Sequence, residues 1–81
     1  MALPTDRPIT VLENPRGDPQ AFLYRGRRIK VRHIIDDWEE EGCWWLDEEP
    51  RRVYRLLGTD ETLYELHHFA ASGWRLFRTY D

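Results

Sequence analysis

The 81-residue chain has room for one small domain. Its formal charge of -3 at pH 7, from 15 acids against 12 Lys and Arg, excludes a protein that binds nucleic acid over its whole surface. A chain this short buries only roughly 60% of its unfolded surface. The four Trp, four Tyr and three Phe are therefore the material of its core, since each ring can bury about 150 to 250 Å².

The lone cysteine, Cys43, cannot form an internal disulfide, and the opening residues MALPTDRP lack the apolar run of a signal peptide. No apolar stretch approaches the roughly 20 residues of a membrane helix. A soluble, cytoplasmic protein is the expectation. Charge is segregated along the chain. Arg25, Arg27, Arg28, Lys30 and Arg32 form a run with no acid, and residues 36–49 carry eight acids and no cation. Either the two runs give the domain surface fields of opposite sign, or they neutralise each other across adjacent strands.

In chain order, residues 1–7 hold two prolines and no periodicity, which predicts a flexible leader ahead of a single domain over 8–81. Residues 9–13 (ITVLE) read as a first strand, and 14–19 (NPRGDP) as a loop dense in turn formers. From Gln20 the pattern is a hairpin, AFLYR then RRIKVRHI, turning at Arg25-Gly26, where a two-residue turn needs φ > 0. Ile29 and Val31 alternate with Lys30 and Arg32, so Arg28, Lys30 and Arg32 are expected in one outward row.

Alternation fails at His33, Ile34 and Ile35. The spacing of Ile34, Ile35 and Trp38 predicts a bulge or one or two helical turns over 36–41, ended by Gly42. Residues 43–46 (CWWL) suit a short strand, with Trp44 and Trp45 on opposite faces. The remainder reads as a three-stranded meander: RRVYRLL, TLYELHHF and WRLFRTY, joined by GTDE and AASG. Tyr54, Leu56, Tyr64, Leu66, Trp74 and Leu76 form its inward set, with Val53, Leu63 and Phe77 on the other face. The expected fold is all-β, an antiparallel meander of five or six strands in a small, partly open barrel with one short helical segment.

The combination PQAFLYRGRRIKVRHI, Trp38, the Trp44-Trp45 pair, RVYRL, LYEL and the closing GWRLFRTYD resembles the DUF6504 family of small bacterial domains, over nearly all of the chain from Gln20 onward. The chain departs from the family pattern at Ile29, where an aromatic is common, and at His67-His68, where charged residues are frequent. The resemblance implies a domain found free-standing or at the C-terminus of Y-family polymerase-like proteins that lack polymerase activity. Those proteins take part in bacterial damage-induced mutagenesis. An accessory role in DNA repair or translesion synthesis is what the resemblance implies.

No catalytic, cofactor or metal constellation stands out. Neighbouring His67 and His68 point to opposite faces of a strand, and they share no ligand spacing with His33 or Cys43. The acids around Cys43 disfavour a thiolate, and the acid run reads as a solvated face. No glycine-rich phosphate loop is present. The expectation is a non-enzymatic protein-interaction module, with no cofactor and no metal. Arg25, Arg27, Arg28, Lys30 and Arg32, with Trp44 and Trp45, are its candidate contact residues, because aromatics and Arg concentrate at the energetic centres of interfaces. The alternative is weak, sequence-nonspecific binding of single-stranded nucleic acid, with cations tracking phosphates and a tryptophan stacking a base.

Overall fold

The computed structural model describes residues 2–42 and 49–80, which form seven antiparallel strands. These are β1 (Ala2–Pro8), β2 (Val11–Glu13), β3 (Pro19–Tyr24), β4 (Arg27–Glu40), β5 (Arg51–Gly58), β6 (Leu63–Phe69) and β7 (Gly73–Tyr80). Their order in the sheet is β1-β7-β6-β5-β4-β3-β2. The two outermost strands, β1 and β2, are consecutive in the chain and separated only by Ile9 and Thr10. The Ile9 N–H donates to Trp74 O at 3.3 Å, and the Leu23 N–H donates to Thr10 O at 3.0 Å. One N-terminal segment therefore touches both margins of the sheet and curls it into a half-barrel, which leaves less exposed edge than a flat sheet. The all-β class expected from the pattern holds.

Residues Ala2–Pro8 are thus a strand and not a loose leader. They pair with β7 from Ala2↔Tyr80 to Pro8↔Arg75, with an irregularity between Pro4 and Arg7. A proline lacks the N–H that a central strand must donate, but an edge strand bonds on one side only and accommodates it.

The β3–β4 hairpin turns through two residues, Arg25 at φ 53° and Gly26 at φ 75°, with Tyr24 opposite Arg27. Positive φ at both turn positions is the geometry that matches the twist of the flanking strands. No helix follows. β4 continues to Glu40 through two bulges, where the ladder to β5 steps from Val31 to His33 and from Ile34 to Asp36. Each bulge inserts one residue, Arg32 and Ile35 respectively, and so breaks the period of two that marks a strand. Ile34 comes to lie opposite Leu56 and Trp38 opposite Val53, so the four-residue spacing that suggested a helix spans the two faces of a bulged strand.

The concave face carries the core: Phe22, Ile29, Tyr54, Leu56, Tyr64, Leu66, Trp74 and Leu76. Cross-strand rows build it, with Tyr54 opposite Leu66 and Leu66 opposite Leu76. Two long-range bonds draw the N-terminal part over this face. The Trp74 indole donates to Glu13 Oε2 at 3.3 Å, and the Tyr54 hydroxyl donates to Asp18 Oδ1 at 3.4 Å. The loop bearing Asp18 is held by Asn14, whose Oδ1 accepts the N–H groups of Arg16 and Asp18.

The opposite face is covered as well, since Val53 is fully buried there beside His67. Arginines roof its rings. Arg51 lies 5.3 Å from the centre of Phe69 and 5.8 Å from that of Phe77, and Arg55 lies 5.4 Å from that of Trp38. The inward and outward sets read from alternation in the meander are those of the structure. No helix among the described residues is long and apolar enough to cross a membrane.

Candidate functional site

The β2–β3–β4 end of the sheet is where exposed apolar surface and unpaired positive charge meet. Alternation in β3 turns Phe22 into the core, so its neighbour Leu23 faces out opposite Arg28. One row away, Leu12 stands opposite Ala21, and Ala21 opposite Lys30. Leu12 and Leu23 are 50% and 48% exposed, large values for leucines on paired strands. With Thr10, Ala21, Phe22 and Arg28 they line a shallow groove of about 150 Å³. Among the described residues no carboxylate approaches Arg28 or Lys30 within ion-pair distance, so two leucines and two free cations share one surface.

The first four acids of the acidic run, Asp36, Asp37, Glu39 and Glu40, sit on the same strand as the basic run, so they cannot neutralise it across a ladder. The acids are instead met by β5. Arg52 bonds Glu39 Oε1 at 2.9 Å and also binds Asp37, while Arg51 reaches Glu40 Oε2 at 3.4 Å. Arg55 stands across from Asp36 and lies 4.0 Å from Glu65 Oε1. The basic half of β4 faces β3, whose residues 20–24 (QAFLY) carry no acid. The first alternative read from the sequence, separate fields of opposite sign, survives in part: among the described residues Asp37, Glu39 and Glu40 are met by arginines of β5, while Arg28 and Lys30 have no acid within ion-pair distance.

The outward row expected of Arg28, Lys30 and Arg32 is broken after Lys30, because the first bulge takes Arg32 out of register. Arg28 and Lys30 lie on the outer surface. Arg32 occupies the first bulge, 3.8 Å from Glu61 Oε1, with both side chains well exposed. Arg27 pairs with Tyr24 and so belongs to the concave side. Arg25, at the turn, places its guanidinium 5.2 Å from the centre of the Tyr24 ring. Trp44 and Trp45 lie outside the described residues. The sequence reading missed Leu12 and Leu23, although strict alternation beside an inward Phe22 was the signal that could have flagged Leu23.

On the concave side of the hairpin tip, a cleft of about 200 Å³ opens between the Tyr24–Arg27 turn and the turn that follows Gly58. The second turn is fixed on β4 by the Thr59 N–H, which donates to Lys30 O at 2.9 Å. Asp60 in that turn accepts the Tyr64 hydroxyl at 2.6 Å and the Thr62 N–H at 3.2 Å. Burial, with the nearby Asp60 carboxylate, pushes the Tyr64 phenol well above its ordinary range and keeps it protonated.

Compared with known proteins, the chain matches a family model described as "Domain of unknown function (DUF6504)" over residues 4–81. No curated protein and no solved structure matches it.

Proposed function

The chain belongs to the DUF6504 family, and on that premise we propose that it is a non-enzymatic docking module whose outer β2–β3–β4 face receives an acidic segment of a protein partner bearing a large apolar anchor. The observation that carries this reading is the placement of Leu12 and Leu23 beside Arg28 and Lys30 on one surface. Burying the exposed half of each leucine is worth about 1 kcal/mol, and cations at the margin speed encounter with an acidic chain and select against basic ones. Phosphate tracking has no use for two leucines, and Arg27 and Arg28 leave the hairpin on different sides, which disfavours a single nucleic-acid path. A partner in damage-induced mutagenesis, as the family resemblance implies, is the first to test. A cytoplasmic setting suits the single cysteine.

The test is binding of a fluorescein-labelled peptide rich in Asp and Glu with Leu and Trp anchors, followed by anisotropy. Binding should weaken with salt, be lost in Leu23→Asp and in Arg28→Glu/Lys30→Glu, and be lost when the peptide anchors are changed to Ala. Indifference to Leu23→Asp would overturn the reading, as would tighter binding of a single-stranded oligonucleotide than of the acidic peptide at equal salt.

A further inference from the structure

The cleft on the concave side of the hairpin tip is separate from the docking surface, and neither the family match nor the docking reading uses it. Its walls differ in chemistry. One is the Tyr24 ring with the Arg25 guanidinium over it. The Tyr64 ring stands edge-on to Tyr24, 76° between planes and 6.0 Å between centres. Arg27 sits at the rim, and no acid comes within ion-pair distance of Arg25 or Arg27 among the described residues, although Asp60 lines the same cleft. Asp60 is fixed at the far end. Each of its oxygens already accepts one hydrogen bond, from Thr62 N–H and from Tyr64 O–H, and keeps a lone pair for another donor.

The cleft is therefore polar at both ends with opposite demands, and lined by aromatic rings between them. The two guanidiniums call for an anion, which they bind best as a fork on phosphate or carboxylate oxygens. The tyrosine with its guanidinium offers a planar partner a stack to continue, as aromatic and Arg surfaces do for nucleobases. The Asp60 carboxylate repels a second anion and accepts from an amino group or hydroxyl. Gly58 makes this convergence sterically possible. A β-carbon there would lie 2.6 Å from Asp60 Oδ1 and 2.8 Å from Ile29 Cγ2.

We propose that this cleft is a binding site for one nucleoside monophosphate, with the phosphate on the N–H edges of Arg25 and Arg27, the base continuing the Tyr24–Arg25 stack, and a base amino group or ribose hydroxyl on Asp60. At about 200 Å³ the cleft is smaller than a nucleotide, so it seats part of one unit, with the remainder outside the walls, and not a strand. The site lies on the face away from Leu12 and Leu23, so it stands or falls independently of the docking reading.

Titration of the ¹⁵N-labelled protein with AMP and CMP, at constant ionic strength, tests it. At least one nucleotide should shift the resonances of Tyr24, Arg27, Thr62 and Tyr64, and bind about tenfold or more tighter than adenosine, cytidine or inorganic phosphate. Arg27→Ala should weaken that binding about tenfold, the worth of a charge-assisted hydrogen bond. Asp60→Asn should weaken it with the fold intact by near-UV circular dichroism, and Arg28→Ala on the other face should leave it unchanged. Nucleotides that bind no tighter than inorganic phosphate would overturn the proposal, and so would equal losses in Arg27→Ala and Arg28→Ala. Affinity for oligonucleotides that climbs with strand length, without shifts at Tyr64, would also overturn it by assigning the cations to a backbone track.

Discussion

Arg52 Nη1 lies 2.9 Å from Oε1 of Glu39, its partner across the β4–β5 ladder, and the same guanidinium also binds Asp37. This one side chain neutralises two acids of β4, and its hydrogen bond to Asp37 is the main influence holding its own pKa above the ordinary arginine value. With Arg51 also 3.4 Å from Glu40 Oε2, three acids of β4 are engaged by β5 and are not left to offset Arg28 and Lys30 further up the strand.

Arg52→Ala should cost less than about 1 kcal/mol in urea denaturation, since its side chain is 39% exposed and exposed ion pairs contribute little. The variant should lose more in low salt than in high salt. A loss of several kcal/mol would mean that Arg52 packing over Tyr54, 5.8 Å from the ring centre, matters more than its charge.

Stability should fall as pH drops below neutrality, and His67 is a principal cause. Its ring is buried and lies flat on Phe77, 3.6 Å between centres and 5° between planes, with Nε2 2.8 Å from Glu65 Oε2. Burial lowers its pKa below 6.5, with Arg51 acting in the same direction and Glu65 and Glu40 opposing. The unfolded chain then binds more protons than the folded one below about pH 6.5, so the contribution is complete above that pH and is lost as the pH falls toward the folded value. His67→Gln, which keeps a donor for Glu65, should flatten the stability profile between about pH 7.5 and 5.5. An unchanged slope would assign it elsewhere.

Leu66 is fully buried between Tyr54 and Leu76 in the central row of the core. Leu66→Ala should cost about 2 to 5 kcal/mol through lost transfer energy and the cavity left behind. For a domain of this size that is a large share of total stability, roughly 0.05 to 0.15 kcal/mol per residue. Thermal denaturation at neutral pH should show the variant partly unfolded near physiological temperature.

Two glycines separate two kinds of constraint. Gly26 has open space around it but φ of 75°, so Gly26→Ala should cost about 1 kcal/mol of backbone strain. Gly58 has no such backbone demand, but a β-carbon meets Asp60, Ile29 and Tyr64 within 3.1 Å. Gly58→Ala should cost about 1 to 3 kcal/mol and alter the Tyr64 environment in near-ultraviolet circular dichroism. Equal costs with no spectral change would show that the turn after Gly58 relaxes freely.

The three strands β5, β6 and β7 and the Arg25-Gly26 turn were legible because they follow local rules: a period of two, and a turn whose two positions need positive φ. The inward residues Tyr54, Leu56, Tyr64, Leu66, Trp74 and Leu76 came from the same alternation. The bulges at Arg32 and Ile35 were less legible, because an inserted residue shifts the period and imitates helical spacing. The strand Ala2–Pro8 carried no pattern at all. Its pairing depends on β7, more than sixty residues away, and an edge strand tolerates the prolines that argued against it.

By itself the sequence determined the class of fold, the hairpin and the faces of the late strands, since these rest on neighbours one or two residues apart. Only the tertiary structure decided which charges survive unpaired and where the cleft lies. Register across β4 and β5 brings Arg51 and Arg52 to the acids, and the turn after Gly58 carries Asp60 to the hairpin tip. Those pairings join residues distant in the chain, and electrostatic balance is set by distance in space.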